Sequence, residues 1–200
     1  MKKQLIGLAM VIFHCVAHPN IGHAQSLYKV KETKDIDIKL SGTSTMHDWE
    51  MDALFTTGEA YFIFKSGSEI DLISIKSLSF ALQVADLKSD SEGLNKNAYE
   101  ALKSIEFKGI RYNLTSSTIS IEKGGYLIKS NGNLTIAGVT KEILMDVHCE
   151  SNEKGTVTSR GSYRLNMSDY DVKPPSFMWG AMKTGDAITL DFIVVYEKEA

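Results

Sequence analysis

Between residues 126 and 147, apolar side chains recur at every second position on both sides of a short break. Tyr126, Ile128, Leu134 and Ile136 share one parity, with Ser130 and Gly132 in step between them, and Ile143, Met145 and Val147 share the parity of a second run. A period of two sustained over this length marks half-buried strands. The interruption, Ala137-Gly138-Val139-Thr140, contains glycine, the residue that best tolerates a reversal. The stretch therefore reads as a long antiparallel hairpin with one apolar face. Such a hairpin is unstable alone, so further strands must cover that face.

The rest of the chain supplies them. One strand over residues 26–40 ends in Ile36, Ile38 and Leu40, alternating with Asp35, Asp37 and Lys39. After the small polar run Ser41 to Thr45, the residues Trp49, Met51, Ala53 and Phe55 alternate. Ala60, Phe62 and Phe64 alternate with Tyr61 and Ile63, and Leu78, Phe80, Leu82 and Val84 form the next strand. The pattern then changes period. Ser91 can cap a helix that begins near Glu92, and Leu94, Ala98, Ala101 and Leu102 recur at helical spacing, which predicts one helix near residues 91–103. Strand texture returns at Ile105 and Phe107. It continues in the opposite parity through Ile110, Tyr112 and Leu114, a switch that predicts a bulge at Gly109. Ile119 and Ile121 lead into a turn at Lys123-Gly124-Gly125. The longest alternation is Val157, Ser159, Gly161, Tyr163, Leu165 and Met167 against polar partners, so one face is wet. Pro174-Pro175 cannot sit inside a paired strand, and the apolar cluster Phe177-Met178-Trp179 follows in a loop. Ile188, Leu190, Phe192, Val194 and Tyr196 make the last strand. Eight or nine strands at meander spacing close into a barrel or split into a sandwich. We expect an all-β fold, an antiparallel closed barrel of about eight strands with one inserted helix.

Composition narrows the picture. The 200 residues, 43% hydrophobic with a formal charge of -3, suit a single globular domain. No basic cluster appears, which argues against nucleic acid as a partner. Met1-Lys2-Lys3, the apolar run Leu5 to Val16 and the small-residue site Gly22-His23-Ala24 together read as a signal peptide over residues 1–24, cleaved after Ala24. Cleavage would leave a single domain over residues 25–200, take the formal charge from -3 to -5, and retain only Cys149, His47 and His148 of the cysteines and histidines. A lone cysteine forms no internal disulfide. No later apolar stretch is long enough to span a membrane as a helix. The expected location is the periplasm or the secreted fraction.

No catalytic chemistry stands out. Ser44, His47 and Asp48 have the residue types of a hydrolase triad, but they lie too close together in an extended segment where Ser44 and His47 point apart. His148 and Cys149 are neighbours on a strand and also diverge, which with His47 makes a poor metal set. Asp169, Asp171 and Asp186 follow no calcium-loop pattern and read as a solvated acidic rim. We assign no catalytic residue, no metal ligand and no cofactor.

The residues Gly132 to Lys141, GNLTIAGVTK, resemble the G-x-L-T-I-x-G-V-T-K hairpin of the YceI-like family. Ser41 to Trp49, the stretch Gly93 to Phe107 and Lys183-Thr184-Gly185-Asp186 are similar to further, looser motifs of that family. The resemblance implies an extended lipocalin-like barrel in an exported bacterial protein. It also implies a long apolar cavity holding a polyisoprenoid or related amphiphile, and no catalysis. By parity, Phe80, Leu82, Leu134, Ile136, Tyr163, Leu165 and Phe192 would face the interior. Trp49 and the loop residues Phe177, Met178 and Trp179 would complete the lipid-binding lining. The same side chains would serve a filled core equally well. In that case the barrel would be an interaction module binding another envelope protein, or a second copy in a homodimer, through the 174–182 loop. Arg160 or Arg164 would be placed to meet a polar head group.

Overall fold

The computed structural model describes residues 24–31, 36–177 and 181–199. The expected signal segment, Met178 and Trp179 lie outside the described residues, as does the Phe177 side chain. The strands are β1 (Ala24–Val30), β2 (Asp37–Ser44), β3 (Trp49–Ala53), β4 (Thr56–Phe64), β5 (Leu72–Gln83), β6 (Leu87–Lys88), β7 (Gly109–Glu122), β8 (Gly125–Ile136), β9 (Val139–Asn152), β10 (Thr156–Asn166), β11 (Ser176–Phe177) and β12 (Met182–Lys198), and the helix is α1 (Glu92–Ala101).

Several of these are pieces of one line. Val30 pairs with Tyr196 and Asp37 with Ile193, so β1 and β2 run end to end along β12. β4 and β3 pair with β1 and β2 in turn, and β5 and β6 with β4 and β3. With β7, β8, β9, β10 and β12, this gives eight lines, each antiparallel to the next, and β12 returns to the first. The result is the closed antiparallel barrel that the alternation predicts. Short β11 pairs with the start of β12.

The interruptions correct the sequence-based expectation in places. The single strand expected over residues 26–40 is two strands. β3 ends at Ala53, where the Leu54 N–H donates to Asp86 O at 3.0 Å. That break shifts the parity, so Phe55 is 64% exposed instead of continuing the buried face. Ile105 and Phe107 lie in the turn after α1, not in a strand. The irregularity in β7 falls between Leu114 and Ser116 rather than at Gly109. The helix is close to its predicted place, and its cap is Ser91, whose Oγ accepts the Leu94 N–H at 3.3 Å.

The β8–β9 hairpin turns in two residues, with Ile136 opposite Val139. Ala137 and Gly138 both have positive φ, +46° and +83°, the pairing that matches the twist of the flanking strands. A Cβ on Gly138 would lie 2.5 Å from Phe107 Cε1. Gly138→Ala therefore meets a backbone penalty and a ring clash together. We expect it to lower stability by about 2 kcal/mol or more, read as a fall in the urea midpoint with unchanged slope.

One end of the barrel is floored by rings. Tyr28, Phe62, Phe64 and Tyr196 are each at most 3% exposed, and Phe62 sits 5.0 Å from Tyr28 and 5.7 Å from Tyr196, edge-on to both. The other end is covered by α1, which turns Leu94, Ala98 and Leu102 toward the interior.

Two stretches of wall lack a ladder. β5 and β7 pair over Ser79–Gln83 against Gly109–Asn113, and their floor-side halves diverge. There Tyr126 Oη donates to Ile70 O at 2.8 Å and accepts the Leu72 N–H at 3.1 Å, while Ser151 Oγ donates to Ile70 O at 2.7 Å. β9 and β10 pair over Val147–Asn152 against Thr156–Gly161, and their helix-side halves run on without bridging each other.

Candidate functional site

Between floor and helix the barrel is hollow. Two cavity lobes of about 120 and 130 Å³ meet at a neck formed by Leu82, Ile110, Leu134 and Leu190, which line both. A void needs only roughly 10–15 Å³ on this measure to admit a water molecule, so each lobe is far larger than a packing defect. An apolar cavity with a few polar groups is the usual form of a small-molecule site.

The lower lobe, on the floor side, is bounded by Phe80, Tyr163 and Phe192 as well as the neck residues. The upper lobe, beneath α1, is bounded by Trp49, Ile136 and Leu165. The structure thus gathers eight of the eleven residues singled out in the sequence around two adjoining lobes. Phe177 is placed by its backbone in β11 beside Met182. Arg160 and Arg164 point outward, and Arg160 Nη1 donates to Glu150 Oε1 at 2.7 Å.

Local chemistry shapes the walls. Trp49 is held across the β2–β3 turn by a hydrogen bond from Nε1 to Thr43 O at 3.2 Å. Ser44, the triad candidate, spends its hydroxyl on that turn, donating to His47 O at 2.7 Å and accepting the Met46 and His47 N–H groups. In β8, Gly132 makes room for the Tyr112 ring, because a Cβ there would fall 2.4 Å from Tyr112 Cζ. The phenol passes over it to hydrogen-bond Ser130 in the buried wall.

The alternation pattern did not single out a polar group in the lower lobe. Tyr112, Ser130, Cys149, Ser159 and Tyr196 line it together, and Cys149 Sγ and Ser159 Oγ are hydrogen-bonded at 3.2 Å. The signal for it is a set of small or polar residues standing in the inward register of apolar runs, Ser130 in β8 and Ser159 in β10. All five stay neutral. Burial pushes the Cys149 thiol up to about 11, raises Tyr112, and raises Tyr196 further, with Cys149 and Tyr112 adding to that last shift. Among the described residues, the only charged one on either lobe is Arg111, which is exposed at the outer rim.

The thiol has a measurable consequence. Below its ordinary value of 9.0, Cys149 is protonated whether the chain is folded or not. As pH rises from about 9 toward 11, the unfolded thiol ionises first, so the folded state loses stability. The loss from this group is at most about 3 kcal/mol, since each pKa unit corresponds to 1.36 kcal/mol. Urea melts at pH 8 and above pH 10 should show a steeper alkaline decline in the native protein than in Cys149→Ala.

The sequence profile of the YceI-like domain matches residues 50–196. The chain belongs to the YceI-like family. Solved structures share its fold. BcnA of Burkholderia cenocepacia superposes with a TM-score of 0.64 at 14% identity, covering 83% of this chain and 98% of its own. A polyisoprenoid binding domain from Saccharophagus degradans gives 0.64 at 8% identity, covering 86% and 98%. The YCEI protein of Campylobacter jejuni gives 0.54 at 17% identity, covering 100% and 99%. At these identities the likeness is one of fold. No curated protein matches the chain. Within this YceI-like domain, the match begins directly after Trp49 and takes in the GNLTIAGVTK hairpin.

Proposed function

We propose that this YceI-like protein binds a long-chain isoprenoid or similar amphiphilic lipid inside the barrel, without chemistry, in the cell envelope. The observation that carries the reading is the pair of adjoining apolar lobes, one lined by Tyr196 at the floor and the other by α1, with Leu82, Ile110, Leu134 and Leu190 common to both. Transfer of a hydrocarbon chain from water into such a space is worth about 25 cal/mol for each square ångström covered, or about 0.8 kcal/mol per methylene. Affinity then needs few hydrogen bonds. The Saccharophagus degradans neighbour, a polyisoprenoid binding domain, supports the same class of ligand. The hollow interior counts against the filled barrel of the interaction-module reading. A non-enzymatic role agrees with the engagement of Ser44 in its own turn.

Native mass spectrometry of protein exported from a bacterial host, followed by organic extraction, tests this. We expect a bound mass that solvent removes, and uptake of a polyprenol by the stripped protein. A clean apo mass with no uptake would refute the reading.

A further inference from the structure

The lower lobe pairs an apolar wall with more hydrogen-bond donors than it uses. Tyr112, Ser130, Cys149, Ser159 and Tyr196 each carry one O–H or S–H proton. Two are spent, one between Tyr112 and Ser130 and one between Cys149 and Ser159. The Tyr196 phenol makes no hydrogen bond among the described residues, although the side chain is 3% exposed and faces the lobe. A phenol that lines an apolar cavity with no protein partner leaves its donor available to whatever occupies the cavity. What completes it must supply an acceptor. It must also be uncharged, because an ion here would lose its hydration with no opposite charge beside it; the exposed Arg111 stands at the rim.

We propose that the lower lobe is a head-group site for a neutral oxygen, the hydroxyl or carbonyl of a long-chain alcohol or ketone, which accepts a hydrogen bond from Tyr196 Oη with Ser130 and Ser159 alongside. The lipid then enters head first. Its oxygen lies on the aromatic floor, and its chain passes the Leu134 neck toward α1. A hydrocarbon of the same length leaves Tyr196 unpaired, and a carboxylate or phosphate brings an unmatched charge. The inference rests on the lipid-binding reading above and adds the direction and chemistry of the head.

The test uses three isoprenoids with one carbon skeleton: farnesol, farnesene and farnesoic acid at pH 8, each displacing a fluorescent apolar probe from the delipidated protein. Farnesol should bind up to about tenfold tighter than either of the others, the upper size expected of one well-made buried hydrogen bond. Tyr196→Phe should remove that advantage and leave farnesene within about twofold of its native affinity. Ser130→Ala should shrink the advantage without touching the ring floor, and it serves if the Phe variant fails to fold. Equal binding of farnesol and farnesene would assign the hydroxyls to a trapped water and overturn the proposal while leaving lipid binding intact. Tighter binding of the acid would also overturn it. No binding of any of the three would overturn both this proposal and the reading beneath it.

Discussion

Leu134→Trp should reduce lipid affinity by at least a hundredfold while the barrel still folds. Leu134 stands at the neck where the two lobes meet, and its side chain faces both. An indole there fills the passage, so a bound chain can occupy one lobe or the other but not thread through both. Loss of burial for about four methylenes at ~0.8 kcal/mol each is ~3 kcal/mol, a factor of more than a hundred. The extra volume goes into existing space, so the overpacking penalty should stay at the low end of about 1–3 kcal/mol. The outward control is Leu144→Trp on β9, where the native side chain is already 73% exposed. Displacement titrations should separate the two, with the neck variant dead and the outer variant native. If both bind lipid normally, the space between the lobes is not the site.

Phe62→Ala should be the most destabilising single truncation, costing about 3–5 kcal/mol. Phe62 is fully buried and makes ring contacts with Tyr28, Phe64 and Tyr196 at 5.0, 6.3 and 5.7 Å. Its removal takes the centre out of the floor, and the neighbouring rings are fixed to three different strands, so they cannot simply collapse inward. The whole stability of a domain is about 5–15 kcal/mol, so the variant should sit near the edge of folding. Urea unfolding gives the number directly. Phe62→Leu, which keeps most of the volume, should lose less than half as much.

The parity of β8, β9 and β10 could be read from the chain because one face of each strand meets the hollow core and the other meets water. The helix could be read because its cap and its apolar spacing agree. Hollowness was not legible. Leu82, Leu134, Ile136 and Leu165 have the same spacing whether they touch one another across the barrel or stop short of contact, and only the barrel's diameter decides which. Nor did the pattern show that β1 and β2, or β3 and β4, are broken lines. The end of β3 at Ala53 is marked by the Leu54 N–H bonding Asp86 O, a contact between segments far apart in the chain that alternation alone does not encode. Tyr196 was visible as the last inward residue of β12, but its unpaired hydroxyl depends on Tyr112, Cys149 and Ser159 arriving from three other strands.

The partial ladders bear on how fast the barrel can exchange its contents. The strands β7, β8 and β9 form one leaf of the wall, bonded to β5 at its helix-side corner and to β10 at the diagonally opposite corner. Near the floor, its free edge is stitched to the β4–β5 turn by Tyr126 and Ser151. Its other free edge, Lys141 to Asp146 facing Ser162 to Asn166, is a seam closed by the packing of Ile143, Tyr163 and Leu165, without rungs between the strands. Parting that seam costs side-chain contacts but no backbone hydrogen bonds between β9 and β10. The cost of opening there is set by how tightly Ile143, Tyr163 and Leu165 pack against the core, and no β9–β10 ladder bond adds to it.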